Sequence, residues 1–243
     1  MVYESCYWKD DLRSYAKELR DFSTCTTLED KYRDYRLEKA LLLSAFTARL
    51  LLDANKLSDR IGSLNLKVDF YPAKIEAQKN ISPFDKAFIE GRYFDLANPT
   101  SSSISLRQLT NQLIHSAVVV AFSYDNANRA LGFYVVSDND YEKRLCYCSL
   151  KEWASVAEAV ADDDVIYTLI HKNPKTGKCI TVKLAANDLI DIDATLGRLK
   201  SKGLSPEILD AIRKNLTRMA TEESARSESA VELNDATSES PDA

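Results

Sequence analysis

Glycine, proline and histidine are all scarce in this sequence. Its 243 residues include six Gly, six Pro and two His. So little Gly and Pro argues against a loop-rich or low-complexity protein, and two His leave few ways to build a metal site or an acid–base pair. The length, with 45% hydrophobic and 28% charged residues, is instead typical of a globular protein that buries a core.

Long hydrophobic runs and an export signal are also lacking. The most apolar run, Ala40 to Leu52, is interrupted by Ser44, Thr47 and Arg49, and it is shorter than the roughly 20 residues that span a bilayer. The N-terminus lacks the charged, apolar and small-residue order of a signal peptide. The five cysteines are odd in number and follow no framework spacing. We therefore expect free thiols in a cytoplasmic protein, with no membrane contact.

The negative charge is concentrated at the C-terminus. From Thr221 to Ala243 there are seven acidic residues and one basic residue, Arg226, although the whole chain has a net charge of only −5. This segment has no aromatic residue, and it holds too little apolar surface to offset the entropy of ordering. We expect it to be disordered.

Helical periodicity dominates the first half of the chain. Apolar residues at helical spacing between Asp10 and Ser23 predict an amphipathic helix, and a longer helix is predicted to run to about Asn55. Arg49 and Asp53 are four positions apart near its end, so they are spaced to pair as ions.

Apolar and polar residues that alternate with a period of two predict the strands. Strict alternation predicts a half-buried strand at 64–70. The polar segment 98–103 is predicted to be a loop, followed by a helix from Leu106 to about Ser116 that is capped by Ser103 or Ser105. Further strands are predicted at 117–124, 131–137, 145–150, 165–172 and 179–184, and further helices at 151–160, 186–200 and 206–218.

Strands grouped in hairpins between helices predict an α+β fold and not a parallel α/β fold. We expect a helical N-terminal half over residues 1–116. An antiparallel sheet of about five strands with flanking helices is expected over 117–218, and the disordered acidic tail over 219–243.

Three polar residues form a stripe on the helix that begins near Leu106. Arg107, Asn111 and His115 are spaced four apart, which places them within about 80° of one another around the helix axis. Such a stripe can bind a phosphate and move a proton, the minimum equipment for cleaving RNA through the ribose 2′-hydroxyl. The alternative is an ordinary exposed face or a hydrogen-bonded helix end.

The helical half resembles HEPN-type domains. The resemblance rests on the run Glu38 to Arg49 and on the later helix with Arg107 and His115, and it covers residues 1–116 at most. It implies a protein of a bacterial toxin, stress or antiphage-defence locus, a homodimer through the helical half, and RNA as substrate or ligand. In the family's motif the His follows the Arg by about six positions, whereas His115 is eight positions after Arg107.

Basic residues accumulate near the end of the predicted sheet. The region between His171 and Arg218 carries ten basic and five acidic residues, and a lysine-rich hairpin can contact a nucleic-acid backbone. The alternative is that these lysines only solubilise a turn. The candidate nucleic-acid contacts are Lys172, Lys175, Lys178 and Lys183.

Two functions remain open at this point. The first is a non-catalytic interaction module that binds a partner protein or RNA. The second is a metal-independent ribonuclease in which Arg107 holds phosphate, His115 transfers the proton and Asn111 orients either group. No cofactor and no metal site is predicted, since Cys146 and Cys148 on one strand face have no partner ligand at zinc spacing.

Overall fold

The computed structural model describes residues 4–24, 32–74, 90–116, 121–137, 140–172, 177 and 179–238. The chain divides into two compact units, Met1–Asp163 (unit 1) and Asp164–Ala243 (unit 2). The boundary predicted near Ala117 therefore lies inside unit 1. Lys175, Lys178 and the first half of the predicted strand 117–124, residues 117–120, lie outside the described residues.

Unit 1 is an antiparallel sheet with most of its helices packed on one face and a smaller apolar cluster around Tyr93 and Phe94 on the other. Its described helices are α1 (Ser5–Thr24), α2 (Arg33–Asp53), α3 (Asp59–Gly62), α4 (Glu90–Tyr93), α5 (Leu106–Ile114) and α6 (Leu150–Ala161). Its strands are β1 (Asn65–Pro72), β2 (Thr100–Ser105), β3 (Ala121–Tyr124), β4 (Ala130–Val135) and β5 (Arg144–Ser149), in the spatial order β2-β1-β5-β4-β3.

The predicted α+β class and the five-stranded antiparallel sheet are confirmed, but β1 and β2 belong to this sheet in place of the strands predicted at 165–172 and 179–184. The segment predicted to be a loop at 98–103 contributes β2, which pairs with β1 so that Ser103 lies opposite Lys67. The side chains of Ser101, Ser102 and Ser103 are exposed. An edge strand made mostly of serine has no apolar alternation, so its backbone pairing leaves no pattern in the sequence.

The core of unit 1 lies between the sheet and its helices. Leu66, Val68 and Phe70 of β1 alternate toward it, while Lys67 and Asp69 point away. At its centre Trp153 of α6 is fully buried, and its indole Nε1 donates to the buried Ser44 Oγ of α2 at 2.9 Å. Cys146 and Cys148 lie in the same core as free thiols, and burial raises the pKa of Cys146 to about 12.

Unit 2 has a separate small core. It consists of a two-stranded antiparallel sheet, a 3-10 turn and two helices: β6 (Val165–Lys172), β7 (Cys179–Ala185), the turn Ala186–Leu189, α7 (Ile192–Lys200) and α8 (Pro206–Ser238). Val182 and Leu184 of β7 pack with Leu196, Leu199 and Leu216 of the helices. This apolar contact covers the inner face of the two-stranded sheet.

The last helix is longer than the sequence predicts. It was expected to end at Arg218, and its backbone continues to Ser238. The added segment contains no Gly or Pro and is rich in Glu, Ala and Ser, and an ion pair four residues apart joins Arg218 to Glu222 at 2.8 Å. The expected disorder of the acidic tail stays a prediction.

Gly132 of β4 allows a close approach between strands. A Cβ atom at this position would lie 2.5 Å from the ring of Tyr147 and 2.6 Å from the carbonyl oxygen of Cys148. Gly132→Ala should therefore destabilise unit 1 by about 2 kcal/mol, as overpacking does elsewhere. Urea unfolding followed by tryptophan fluorescence measures this, since both tryptophans, Trp8 and Trp153, lie in unit 1.

Gly62→Ala is the matched control, because its Cβ would meet only the Leu52 side chain at 3.8 Å. Equal midpoints for the two variants would contradict the proposed close contact.

Asp163, the last residue of unit 1, has a buried carboxylate. The side chain of Asp163 is fully buried and accepts hydrogen bonds from Ser58 N at 2.6 Å and Ser58 Oγ at 2.7 Å. Arg60 Nη2 lies 3.7 Å from its Oδ1, and Lys9 Nζ donates to its backbone oxygen at 2.6 Å. Burial raises the pKa of Asp163, against the opposing effect of the Ser58 hydrogen bonds.

Asp163→Ala should cost about 3 kcal/mol of unfolding free energy, because it leaves buried donors and a nearby cation without their acceptor. The control is Asp162→Ala, which removes an exposed ion pair with Arg13 and should cost less than about 1 kcal/mol. The same tryptophan-monitored urea titration compares them. If Asp163→Ala loses no more unfolding free energy than Asp162→Ala, the buried cluster contributes little to stability.

Candidate functional site

Helix α5 positions the polar stripe predicted from the sequence. Ser105 caps its N-terminus and forms a capping box with Gln108, which decides between the two predicted caps. Leu106, Leu109 and Leu113 are buried and hold α5 against the core. The opposite side of the helix carries the stripe toward solvent.

Two of the three stripe residues line a cavity, and the third does not. Asn111 and His115 border a cavity of about 550 Å³. Arg107 is not among its lining residues, and its Nη1 lies 2.6 Å from Asp53 Oδ1. The described lining of this cavity consists of Arg49, Phe70, Ser102, Ser103, Ile104, Gln108, Asn111, Gln112, His115, Ser137, Asp140 and Arg144.

Asp53 pairs with two arginines at once. Its Oδ2 accepts from Arg49 Nε at 2.6 Å, as the spacing of these residues predicts, and its Oδ1 accepts from Arg107. Burial alone raises the pKa of Asp53, but the hydrogen bonds from both arginines outweigh it and the pKa lies below its ordinary value. Asp53 is therefore a carboxylate at neutral pH, and the charge of Arg107 is compensated.

Arg49 of α2 lines the cavity, unlike Arg107. Its side chain is 22% exposed. One guanidinium nitrogen is used on Asp53, while Nη1 is buried and has no hydrogen-bond partner among the described residues. A buried guanidinium N–H without an acceptor is rare and requires an explanation.

Gln112 provides a second buried polar atom at the same cavity. Its Nε2 donates to Asp140 Oδ2 at 3.0 Å, and this bond fixes the orientation of the amide. The Oε1 atom is then buried without a partner among the described residues. The cavity thus presents one unused donor and one unused acceptor.

Arg144 places a second guanidinium at the cavity. It is exposed, and its Cζ lies 3.8 Å from the centroid of the Phe70 ring, a cation–π contact. No ion pair of Arg144 is found within the described part of the chain. With Arg49 and Arg144 against Asp140, the charged lining groups carry a net charge of +1.

His115 lies at the edge of the site. It caps the C-terminal end of α5, where its backbone N–H donates to Asn111 O at 2.9 Å, and it is exposed. Arg49, Asn111 and His115 also border a smaller cavity of about 240 Å³. These three side chains are therefore shared by both cavities.

The predicted lysine contacts lie in unit 2. Lys172 and Lys183 share the outward face of the β6–β7 hairpin, because Lys172 is opposite Cys179 and Lys183 is opposite Thr168. His171 is opposite Ile180 and so lies on the other face from Cys179, which separates the only Cys and His that the hairpin brings near one another.

No local pattern in the sequence identifies three of the residues that line the cavity, which are Gln112, Asp140 and Arg144. Arg144 reaches α5 only because β5 pairs with β1, and no local pattern specifies which strands become neighbours. Within the described residues, no group of His, Cys, Asp and Glu is arranged to hold a metal ion.

The described helices include none that is both long enough and apolar enough to cross a membrane. A comparison of the chain with models of protein families, with curated proteins and with solved structures finds no match in any of the three.

Proposed function

We propose that unit 1 is a non-catalytic binding module for single-stranded RNA and holds one phosphate and its nucleotide in the cavity beside α5. The proposal depends on Arg49 Nη1, a buried donor without an acceptor in the cavity lining. Leaving such a donor unpaired is costly. A phosphate oxygen is an acceptor of the charge that a guanidinium prefers.

The position of Arg144 favours a nucleotide over a bare anion as the ligand of the cavity. Its planar guanidinium lies on Phe70, so the opposite face of the plane is available to a base. Unpaired RNA bases commonly stack on aromatic rings or on arginine planes.

The side chain of Gln112 favours RNA over DNA as the ligand. Its unpaired Oε1 can accept from a ribose 2′-hydroxyl, and this hydroxyl is the group by which proteins distinguish the two nucleic acids. The placement of the protein in a bacterial stress or antiphage-defence system rests on the HEPN resemblance alone and stays a prediction.

Ribonuclease activity is the second candidate function. His115 and Asp140 line the same cavity as the two arginines, so the residue types that acid–base cleavage needs are present together. The arginine that holds phosphate in this alternative is Arg49, because Arg107 is paired with Asp53.

Arg144→Gln should weaken the binding of a fluorescein-labelled single-stranded RNA by roughly tenfold at low salt, because the stacking surface for the base and one positive charge of the cavity are both lost. The slope of log K against log salt should become shallower by at most about 0.7, the value for one phosphate contact on a single strand, because Arg49 still holds the phosphate. Fluorescence anisotropy titrations at several salt concentrations measure both quantities.

Arg129→Gln is the matched control, since it removes the same charge from unit 1 at an arginine that pairs with Asp125 and does not line the cavity. Equal losses for both variants would show that binding follows total charge and would reject the cavity as the RNA site.

His115→Ala tests the second candidate. We expect wild-type protein and the variant to leave the labelled RNA equally intact on a denaturing gel. Acid–base cleavage needs one group that removes a proton and a second that donates one, and the exposed His115 is not held against a second such group among the described residues. The control is His171→Ala, which alters the other histidine of the chain. Cleavage by wild type and His171→Ala that His115→Ala abolishes would establish the ribonuclease instead.

A further inference from the structure

Strand β6 has an unpaired edge. It pairs with β7 on one side, and within the described residues no strand lies on its other side. An exposed edge presents a row of free backbone N–H and C=O groups and pairs readily with another chain unless it is protected. β6 is eight residues long and contains no proline.

The outward face of β6 is unusually apolar for a solvent-exposed strand. Side chains alternate along it, and Ile166 and Ile170 are 39% and 68% exposed. Thr168 lies between them, Lys172 is the last residue of the strand, and the exposed Asp164 directly precedes its first residue. The register with β7 shifts between Val165 and Tyr167, but the alternation of exposed side chains continues through the shift.

This face is complementary to itself when reversed about Thr168. If two copies of β6 pair antiparallel across a two-fold axis at Thr168, residues whose numbers are equally far from 168 lie opposite one another. Ile166 then meets Ile170 of the other copy, and Asp164 meets Lys172. Each apolar side chain has an apolar neighbour and each charge has an opposite one, and both occur twice because of the symmetry.

The inner face matches only at its centre, since Val165 would lie opposite His171 of the other copy. Tyr167 would lie opposite Leu169 of the other copy, and both side chains are only partly buried against the core of unit 2. The outward face of β7 carries Cys179, Thr181 and Lys183. It has no such symmetry, because reversal about Thr181 places Cys179 opposite Lys183.

We propose that the protein forms a homodimer through antiparallel pairing of β6 with β6 of a second copy, centred on Thr168. The occupant of the edge is a second copy because both the charges and the apolar side chains match only in that register. Two small sheets become one four-stranded sheet, which is far more stable than an isolated pair of strands.

Charge reversal on the full chain tests this register. Asp164→Lys alone places like charges opposite one another at two symmetric positions, and so does Lys172→Asp alone. Each should weaken dimerisation in sedimentation equilibrium by roughly three- to tenfold. The double variant Asp164→Lys/Lys172→Asp restores opposite charges and should recover wild-type dimerisation.

A cysteine at the two-fold axis gives a second, independent readout. Facing residues of antiparallel strands have Cα atoms about 4.5–5.5 Å apart, which is within disulfide range. With Cys6, Cys25 and Cys179 changed to Ser, Thr168→Cys should yield a disulfide-linked dimer on mild oxidation. Thr181→Cys, an exposed threonine of the same face, should not, because the two β7 strands would be three strand spacings apart, about 14 Å.

A wild-type chain that stays monomeric at its solubility limit would overturn the proposal. So would a dimer that neither single reversal weakens or that the double variant fails to restore. Equal cross-linking at Thr168 and Thr181 would also overturn it, since it would indicate random collision. RNA binding by unit 1 is measured separately, so neither result affects the other.

Discussion

The structure of unit 1 depends on covering one face of its sheet. Trp153, Phe133 and Leu41 are completely buried between the strands and the helices, and each is large enough that a gap in its place would be costly. The indole N–H of Trp153 is satisfied by Ser44 of α2, so α6 and α2 are joined by a polar bond inside an apolar core. Because α2 is held in this way, the last turn of α2 has a fixed position beside α5.

That fixed turn determines the electrostatics of the cavity. It carries Arg49 and Asp53, and Asp53 lies where it reaches both Arg49 and Arg107. One carboxylate cannot satisfy every N–H of two guanidinium groups, which together have ten. Arg107 is turned to Asp53 away from the cavity lining, whereas Arg49 keeps a buried nitrogen without an acceptor. This network therefore leaves one buried donor at the cavity, and the proposed binding of a phosphate depends on that donor.

The sequence allowed prediction of those features that depend on neighbours along the chain. The pairing of Arg49 with Asp53 and the shared side of Asn111 and His115 follow from helical spacing, and the structure contains both. The cap was narrowed to Ser103 or Ser105, of which the structure uses Ser105. β2 could not be predicted because its serines have no apolar period. Arg144 could not be connected with α5 because their proximity depends on the order of strands in the sheet, which is a long-range property. The pairing of Arg107 with Asp53 could not be predicted for a related reason, since the two residues are 54 positions apart.

Within the described residues, unit 1 has a cavity with an unpaired buried donor, and unit 2 has an unpaired strand edge at β6. The two features together have a consequence for binding. A dimer joined through β6 contains two copies of the cavity, whatever the placement of the units. If unit 1 binds RNA as proposed, an RNA long enough to reach both cavities would bind the second one intramolecularly, at an effective concentration set by the connecting strand. A short RNA would occupy one cavity and gain nothing. Dimerisation would thus favour long single strands without any change in the cavity itself, so a preference for length would come from unit 2 and a preference for RNA from unit 1.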